Sequence, residues 1–223
     1  MGYLAAKIAL IRRIVCFLSF SFLIISCKKD NPVLPYYNTP EFDPVFVQDV
    51  KELPSKIPHQ ISDFSFKDQN NQTITQKDIE GKIHVANFIF TTCGSICPKM
   101  INHMERVSSA FPGDQEVVLL SYSVTPWIDS VGRLNKYAKE NGISSENWHL
   151  LTGSRAKIYE LARQSYFAEE DMGYTKDSTE FLHTEHFILV DHNKRIRGIY
   201  NGTLQLEIGQ LIKDIEELKK EKD

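Results

Sequence analysis

Between residues 82 and 90 the chain sets Ile83, Val85, Ala86, Phe88, Ile89 and Phe90 in nearly unbroken succession. Strict alternation would mark a strand wet on one face. A continuous apolar run of this length predicts a central strand buried on both faces. Such a strand must be covered on each side, and helices usually do this. Its neighbours supply the elements. Residues 62–66 alternate polar and apolar and read as a strand, Asp68-Gln69-Asn70-Asn71 as a turn, and residues 73–75 as the returning strand. Beyond the central run, a helix is expected over 95–110, with Ile96, Met100, Met104 and Val107 near one face. A buried strand over 116–124 comes next, then a helix over 129–141 stopped by Gly142. After these stand a short strand over 148–151, a helix over 154–166 with Ser154 at its N-cap, and a long acidic loop over 167–182. Strands over 186–190 and 195–200 flank a turn at Asp191-His192-Asn193-Lys194, and an amphipathic helix over 204–220 closes the chain.

The order β-α-β-α, then β-β-α, is that of thioredoxin-like proteins. The expected fold is therefore α/β, a thioredoxin-like sandwich with a central mixed β-sheet flanked by helices and an N-terminal β-hairpin. Fold alone does not assign function.

The N-terminal stretch is a separate object. Lys7, Arg12 and Arg13 precede an apolar run over 14–25, and no acidic residue occurs before Asp30. A basic region ahead of a short apolar one is the pattern of a secretory signal, and the run is short for a membrane span. It ends in Leu23-Ile24-Ile25-Ser26-Cys27, which resembles the bacterial lipobox. That resemblance implies cleavage before Cys27 and lipidation of its thiol. Residues 1–26 then form a lipoprotein signal peptide. Residues 27–58, which carry Pro32, Pro35, Pro40, Pro44, Pro54 and Pro58, form a lipidated, proline-rich tether. Residues 59–223 form the folded domain. The expected location is the extracytoplasmic side of the cell envelope, held to the membrane by the lipid. A formal charge of -3 offers no basic field for nucleic acid.

Of four cysteines, Cys16 leaves with the leader and Cys27 is taken by lipid, which leaves Cys93 and Cys97. They stand as Cys93-Gly94-Ser95-Ile96-Cys97-Pro98, at the end of the buried strand and the start of a helix. Residues four apart on a helical turn share a face, so two sulfurs can converge there. The helix N-terminus favours thiolate, which is both the ligand and the nucleophile. Gly94 leaves room beside the first thiol, and Pro98 is tolerated in the first turn. Two soft thiolates favour Cu(I), with Zn(II) as the alternative, and call for a third donor. Histidine is the usual choice. His59, His84, His103, His149 and His192 read as packing or surface residues. His183 and His186 stand where the long loop enters the strand over 186–190, and their spacing of three turns them to opposite faces of an extended chain. Met100 and Met104 read as core, and Glu169, Glu170 and Asp171 as a solvated face.

These segments together resemble one family. Thr91-Thr92-Cys93-Gly94-Ser95-Ile96-Cys97-Pro98-Lys99-Met100, Ser121-Tyr122-Ser123-Val124-Thr125-Pro126, and His183-Thr184-Glu185-His186-Phe187-Ile188-Leu189-Val190-Asp191 look like the SCO/SenC family over residues 61–218. The resemblance implies that His183, not His186, joins Cys93 and Cys97 in holding one copper ion. It implies a metallochaperone that delivers copper to the dinuclear copper site of cytochrome c oxidase, with the oxidase copper-site subunit or another copper protein as partner. The alternative is a thiol–disulfide oxidoreductase that uses Cys93 and Cys97 as a redox pair to keep a partner's cysteines reduced. Four-apart cysteines on a helix lie within disulfide range, and this chemistry needs no histidine. The partner residues of a peroxide-reducing enzyme are missing, and a disulfide across so short a loop would restrict the unfolded chain little. Two departures stand out: Leu182 replaces the aspartate often found before the ligand histidine, and Thr125 replaces the aspartate before Pro126. The first removes a carboxylate that would orient the ring.

Overall fold

A computed structural model describes residues 34–168 and 184–221. The leader, Cys27, most of the acidic loop and His183 lie outside the described residues. The strands are β1 (Tyr36–Tyr37), β2 (Pro44–Val45), β3 (Ser65–Lys67), β4 (Thr73–Thr75), β5 (Ile83–Ile89), β6 (Val117–Ser123), β7 (Trp148–Leu151), β8 (His186–Val190) and β9 (Ile196–Asn201). The helices are α1 (Leu53–Lys56), α2 (Cys97–Ala110), α3 (Val131–Glu140), α4 (Arg155–Glu160) and α5 (Gln205–Leu218).

Seven strands make one sheet in the order β2-β1-β9-β8-β5-β6-β7, and β3 and β4 form a separate hairpin. Strand β5 lies inside the sheet, between β8 and β6, and is buried at every position. It runs parallel to β6, from Ile83 opposite Val117 to Ile89 opposite Ser123, and antiparallel to β8. The sheet is mixed and helix-covered, as the apolar run requires. Alternation along β5 divides the core. Ile83, Val85 and Ile89 pack with Met100, Ile101, Met104 and Val107 of α2, Leu134 of α3 and Leu211 of α5. Ala86 and Phe88 pack on the other face with Phe66 and Ile74 of the hairpin and Ile158 of α4. Met100 and Met104 are fully buried, so core packing is their role. Gly142 ends α3 at φ 68°, a left-handed conformation natural to glycine.

Two differences from the sequence reading have physical causes. The proline-rich stretch over 34–57 is part of the fold, not a tether. Strand β1 pairs with β9, β2 pairs with β1, and Tyr36, Val47, Leu53 and Ile57 form a small apolar cluster. Proline is admitted because β2 is an edge strand and because Pro54 sits in the first turn of α1. The helix expected over 154–166 is α-helical only to Glu160 and then makes a π-turn over Leu161–Ser165. One extra residue in the turn rotates the chain beyond it. It brings Tyr166 beneath the sheet, with its hydroxyl 3.1 Å from His84 Nε2 and 3.2 Å from the Tyr122 hydroxyl. Ser154 makes no side-chain cap, whereas Ser130 accepts from the Arg133 amide at the start of α3.

Candidate metal centre

Strand β5 delivers the chain to a tight turn in which the Cys93 amide donates to the Phe90 carbonyl at 3.1 Å. Helix α2 begins at Cys97, so Cys93 lies in the turn that precedes the helix and not in the helix itself. The Cys97 amide donates to Cys93 Sγ at 3.5 Å, so the first sulfur takes up one of the amides that the head of the helix leaves without a helical partner. Both cysteines are free thiols; Cys93 is half-buried and Cys97 is buried. A Cβ on Gly94 would meet nothing within 4 Å, so protein packing does not demand glycine there.

The two sulfurs differ in acidity. Burial pushes the Cys93 thiol up, but hydrogen bonds from the Cys97 amide and thiol and from the Ser95 and Ile96 amides outweigh it and bring it below an ordinary thiol. Burial raises Cys97 to about 12, helped by Cys93 itself and by the charge of Asp129. Cys93 is therefore the accessible, thiolate-prone sulfur, and Cys97 the protected one.

Asp129 is a part of the site that the sequence reading missed. Its carboxylate has no exposed surface. It accepts from the Thr91 amide at 3.2 Å, the Thr91 hydroxyl at 2.5 Å, the Ser123 hydroxyl at 2.6 Å and the Thr125 hydroxyl at 2.9 Å. Arg133 Nε lies 3.5 Å from it and donates to the Thr91 hydroxyl at 2.6 Å. The stem of the thiol loop is thereby fastened to the end of β6 and the start of α3. Thr125, where an aspartate was expected, serves as a donor to Asp129. Tyr137 on α3 completes the surroundings: burial, then the nearby Cys97, Cys93 and Asp129, raise its hydroxyl to about 12. Hydroxyls clustered at two strand ends around one aspartate were the available signal, visible only once the strands were paired.

The other histidines are engaged elsewhere. His84 is fully buried and held neutral, its pKa lowered to about 3 by desolvation. His103 Nδ1 lies 2.7 Å from the Gly202 carbonyl, and His149 Nδ1 lies 3.2 Å from Asp68. The His186 ring stands edge-on to Phe42. Strand β8 runs antiparallel to β5, with Ala86 opposite Ile188, so its first residue His186 lies towards the end of the sheet where the thiol loop starts. Among the described residues no group of three or more His, Cys, Asp or Glu side chains is gathered for a metal ion. Two converging sulfurs, one of them thiolate-prone, fit a soft cation that takes a further donor from outside them.

The family model described as SCO1/SenC matches residues 54–220. BsSco, a member of the Sco family of cytochrome c oxidase assembly proteins in which a disulfide switch was identified, superposes with a TM-score of 0.63 at 28% identity, covering 74% of this chain and 95% of that one. A SCO1/SenC family lipoprotein from Bacillus anthracis str. Ames superposes with a TM-score of 0.63 at 26% identity, over 72% and 95% of the two chains. Bradyrhizobium japonicum ScoI, solved with copper bound, shares the fold at a TM-score of 0.55 and 22% identity, over 70% and 98%.

Proposed function

The chain belongs to the SCO1/SenC family of copper-binding cytochrome c oxidase assembly proteins, and from that premise we propose that it takes up one copper ion through Cys93, Cys97 and His183 and passes it to the dinuclear copper site of the oxidase. The observation that carries this reading is the unequal pair at the head of α2. A half-exposed, thiolate-prone Cys93 meets an incoming ion, and the buried Cys97 gives up its proton as it joins. His183 directly precedes Thr184, and strand β8 just beyond it begins towards the thiol end of the sheet; this supports the histidine as third donor. Two thiolates and a neutral imidazole carry one negative charge with Cu(I), and the exposed side of Cys93 leaves a path for an acceptor's ligands. Cys27 is the proposed lipid anchor, in keeping with the lipoprotein relative. Among the described residues no helix is long and apolar enough to cross a membrane.

The same asymmetry favours a second reading, reduction of a partner disulfide. The Cys93 thiolate would attack one partner sulfur and release the other as a thiolate. Cys97, losing its proton, would then displace the mixed disulfide, leaving Cys93 and Cys97 oxidised and two partner thiols reduced. Copper binding needs His183; thiol exchange does not. Anaerobic copper titration of the reduced full chain in detergent, beside His183→Ala, separates them. The parent is expected to bind one equivalent, and the variant about tenfold or more weaker while exchanging thiols as before. Unaltered affinity in the variant would remove His183 from the ligand set.

A further inference from the structure

A single exposed apolar side chain is ordinary, but two adjacent ones held rigidly beside a reactive thiol make a contact surface. Trp127 and Ile128 remain 56% and 39% exposed. The turn that presents them is fixed from within. The Ile128 and Asp129 amides both donate to the Thr125 carbonyl at 2.8 Å, and the Ser130 amide donates to the Ile128 carbonyl at 3.0 Å. Thr125 and Asp129, on either side of the exposed pair, are buried and joined through the Thr125 hydroxyl at 2.9 Å. The Trp127 ring is fixed as well. The Arg155 guanidinium lies 4.7 Å from its centroid and 5.0 Å from that of Tyr159, whose hydroxyl donates to the Val124 carbonyl at 2.8 Å. An aromatic side chain already held in place loses little freedom when a partner covers it.

This turn is fastened to the thiol loop. Asp129 accepts from both the amide and the hydroxyl of Thr91, so Trp127 and Cys93 each stand two residues from one buried junction. Strands β5 and β6 are parallel neighbours, which brings the loops that follow them to the same end of the sheet. The two segments also share a sign of charge. Residues 91–104 and 124–139 contain Lys99, Arg133, Lys136 and Lys139, and their one carboxylate is the buried Asp129, in a chain whose formal charge is -3.

We infer that Trp127 and Ile128, with Lys99 and Arg133 near them, form the docking surface for the protein that exchanges with Cys93, and that this partner carries its cysteine pair among apolar and acidic side chains. The inference rests on the reading of Cys93 as the exchanging sulfur, which copper transfer and disulfide reduction have in common. A specific interface takes about 800 Å² from each side, far more than a half-buried thiol offers, so a partner that reaches Cys93 covers the ground beside it. The apolar pair supplies contact, and the cations orient an acidic partner.

The test uses the reduced full chain in detergent and two synthetic peptides that hold the same disulfide. One has leucine, phenylalanine and aspartate around its cysteines, the other serine and glycine. The Cys93 thiolate attacks one peptide sulfur, and Cys97 then displaces the mixed disulfide and releases the peptide as a dithiol. The parent should react faster with the apolar, acidic peptide, by a margin that shrinks as salt is raised. Trp127→Ala should slow that reaction about five- to thirtyfold and leave the serine–glycine peptide unaffected. Ile128→Ser should act in the same way but more weakly, and Lys99→Gln should remove part of the salt dependence. Phe46→Ala, an exposed ring beyond the edge strand β2, should alter neither rate. Equal slowing with both peptides would make Trp127 a support of the thiol loop and overturn the docking surface. So would unaltered rates in Trp127→Ala, or a parent without preference. A parent that reacts with neither peptide would overturn the reading of Cys93 itself. Should Trp127→Ala fail to fold, Ile128→Ser carries the same comparison.

Discussion

The two ends of the sheet each bury a carboxylate, and they treat it differently. At the end away from the thiols, Asp191 faces the buried guanidinium of Arg197 at 3.4 Å. Arg197 also binds Glu221 at 2.7 and 3.0 Å, donates to the carbonyls of Leu34 and Pro35, and lies 4.0 Å over the Tyr36 ring. One cation thus ties both ends of the described chain to β9. Burial raises the Asp191 carboxyl above the usual range, with the Arg195 amide and the Arg197 charge pulling the other way. At the thiol end, Asp129 is met mainly by hydroxyls and one amide, with a half-exposed Arg133 at its edge. Opposite charges close the first end. Neutral donors brace the second and leave one sulfur partly open. Holding the chain ends and presenting a partly open thiol fall to opposite ends of one sheet.

Breaking each end should have different consequences. The largest effect is expected from Arg197→Ala, which leaves Asp191 buried without its cation and releases both ends of the described chain. A stability loss of about 3–5 kcal/mol is expected. Thermal unfolding should show it, while the alkylation rate of Cys93 in the folded protein stays as it was. Asp129→Asn should cost less, about 2–3 kcal/mol, because an amide cannot accept from every donor now facing the carboxylate. Unlike the first variant, it should also change Cys93 alkylation, since the thiol loop loses its brace. If the two variants moved stability and alkylation alike, the division between the ends would be wrong.

The smallest effect concerns pH. Cys93, lowered by its hydrogen bonds once they have overcome burial, should alkylate with a midpoint below that of an ordinary thiol, and Cys97 should stay silent until strongly alkaline pH. The signs for stability are opposed. The raised Cys97 adds stability that is present below the ordinary thiol pKa and is lost as pH rises towards about 12. The lowered Cys93 adds stability that is present above the ordinary thiol pKa and is lost as pH falls through its own. Cys97→Ser should therefore flatten the alkaline limb of a denaturation series. A limb unchanged by that substitution would assign it to other groups.

Much of the site was legible because it is local. The apolar run of β5 announces its burial on both faces, and the cysteines come directly after it. Spacing along α2 turns Met100 and Met104 into the core. The arm misled because proline density is only a local statement. Nothing in residues 34–57 shows that β9 offers an edge or that Arg197 will take the carbonyls of Leu34 and Pro35. The π-turn after α4 was hidden for a similar reason, since the pull on Tyr166 comes from His84 and Tyr122 in other strands.

By itself the amino-acid order determined the strand, the spacing of the two sulfurs at its end and the mixed sheet around it. These depend on chain geometry and on periodicity within a few residues. Only the tertiary structure decided that Cys93 leans to thiolate and Cys97 to thiol, that Asp129 braces their loop, and that a proline-rich arm pairs with β9. Each of these is set by through-space burial and hydrogen bonding between segments that no sequence interval relates.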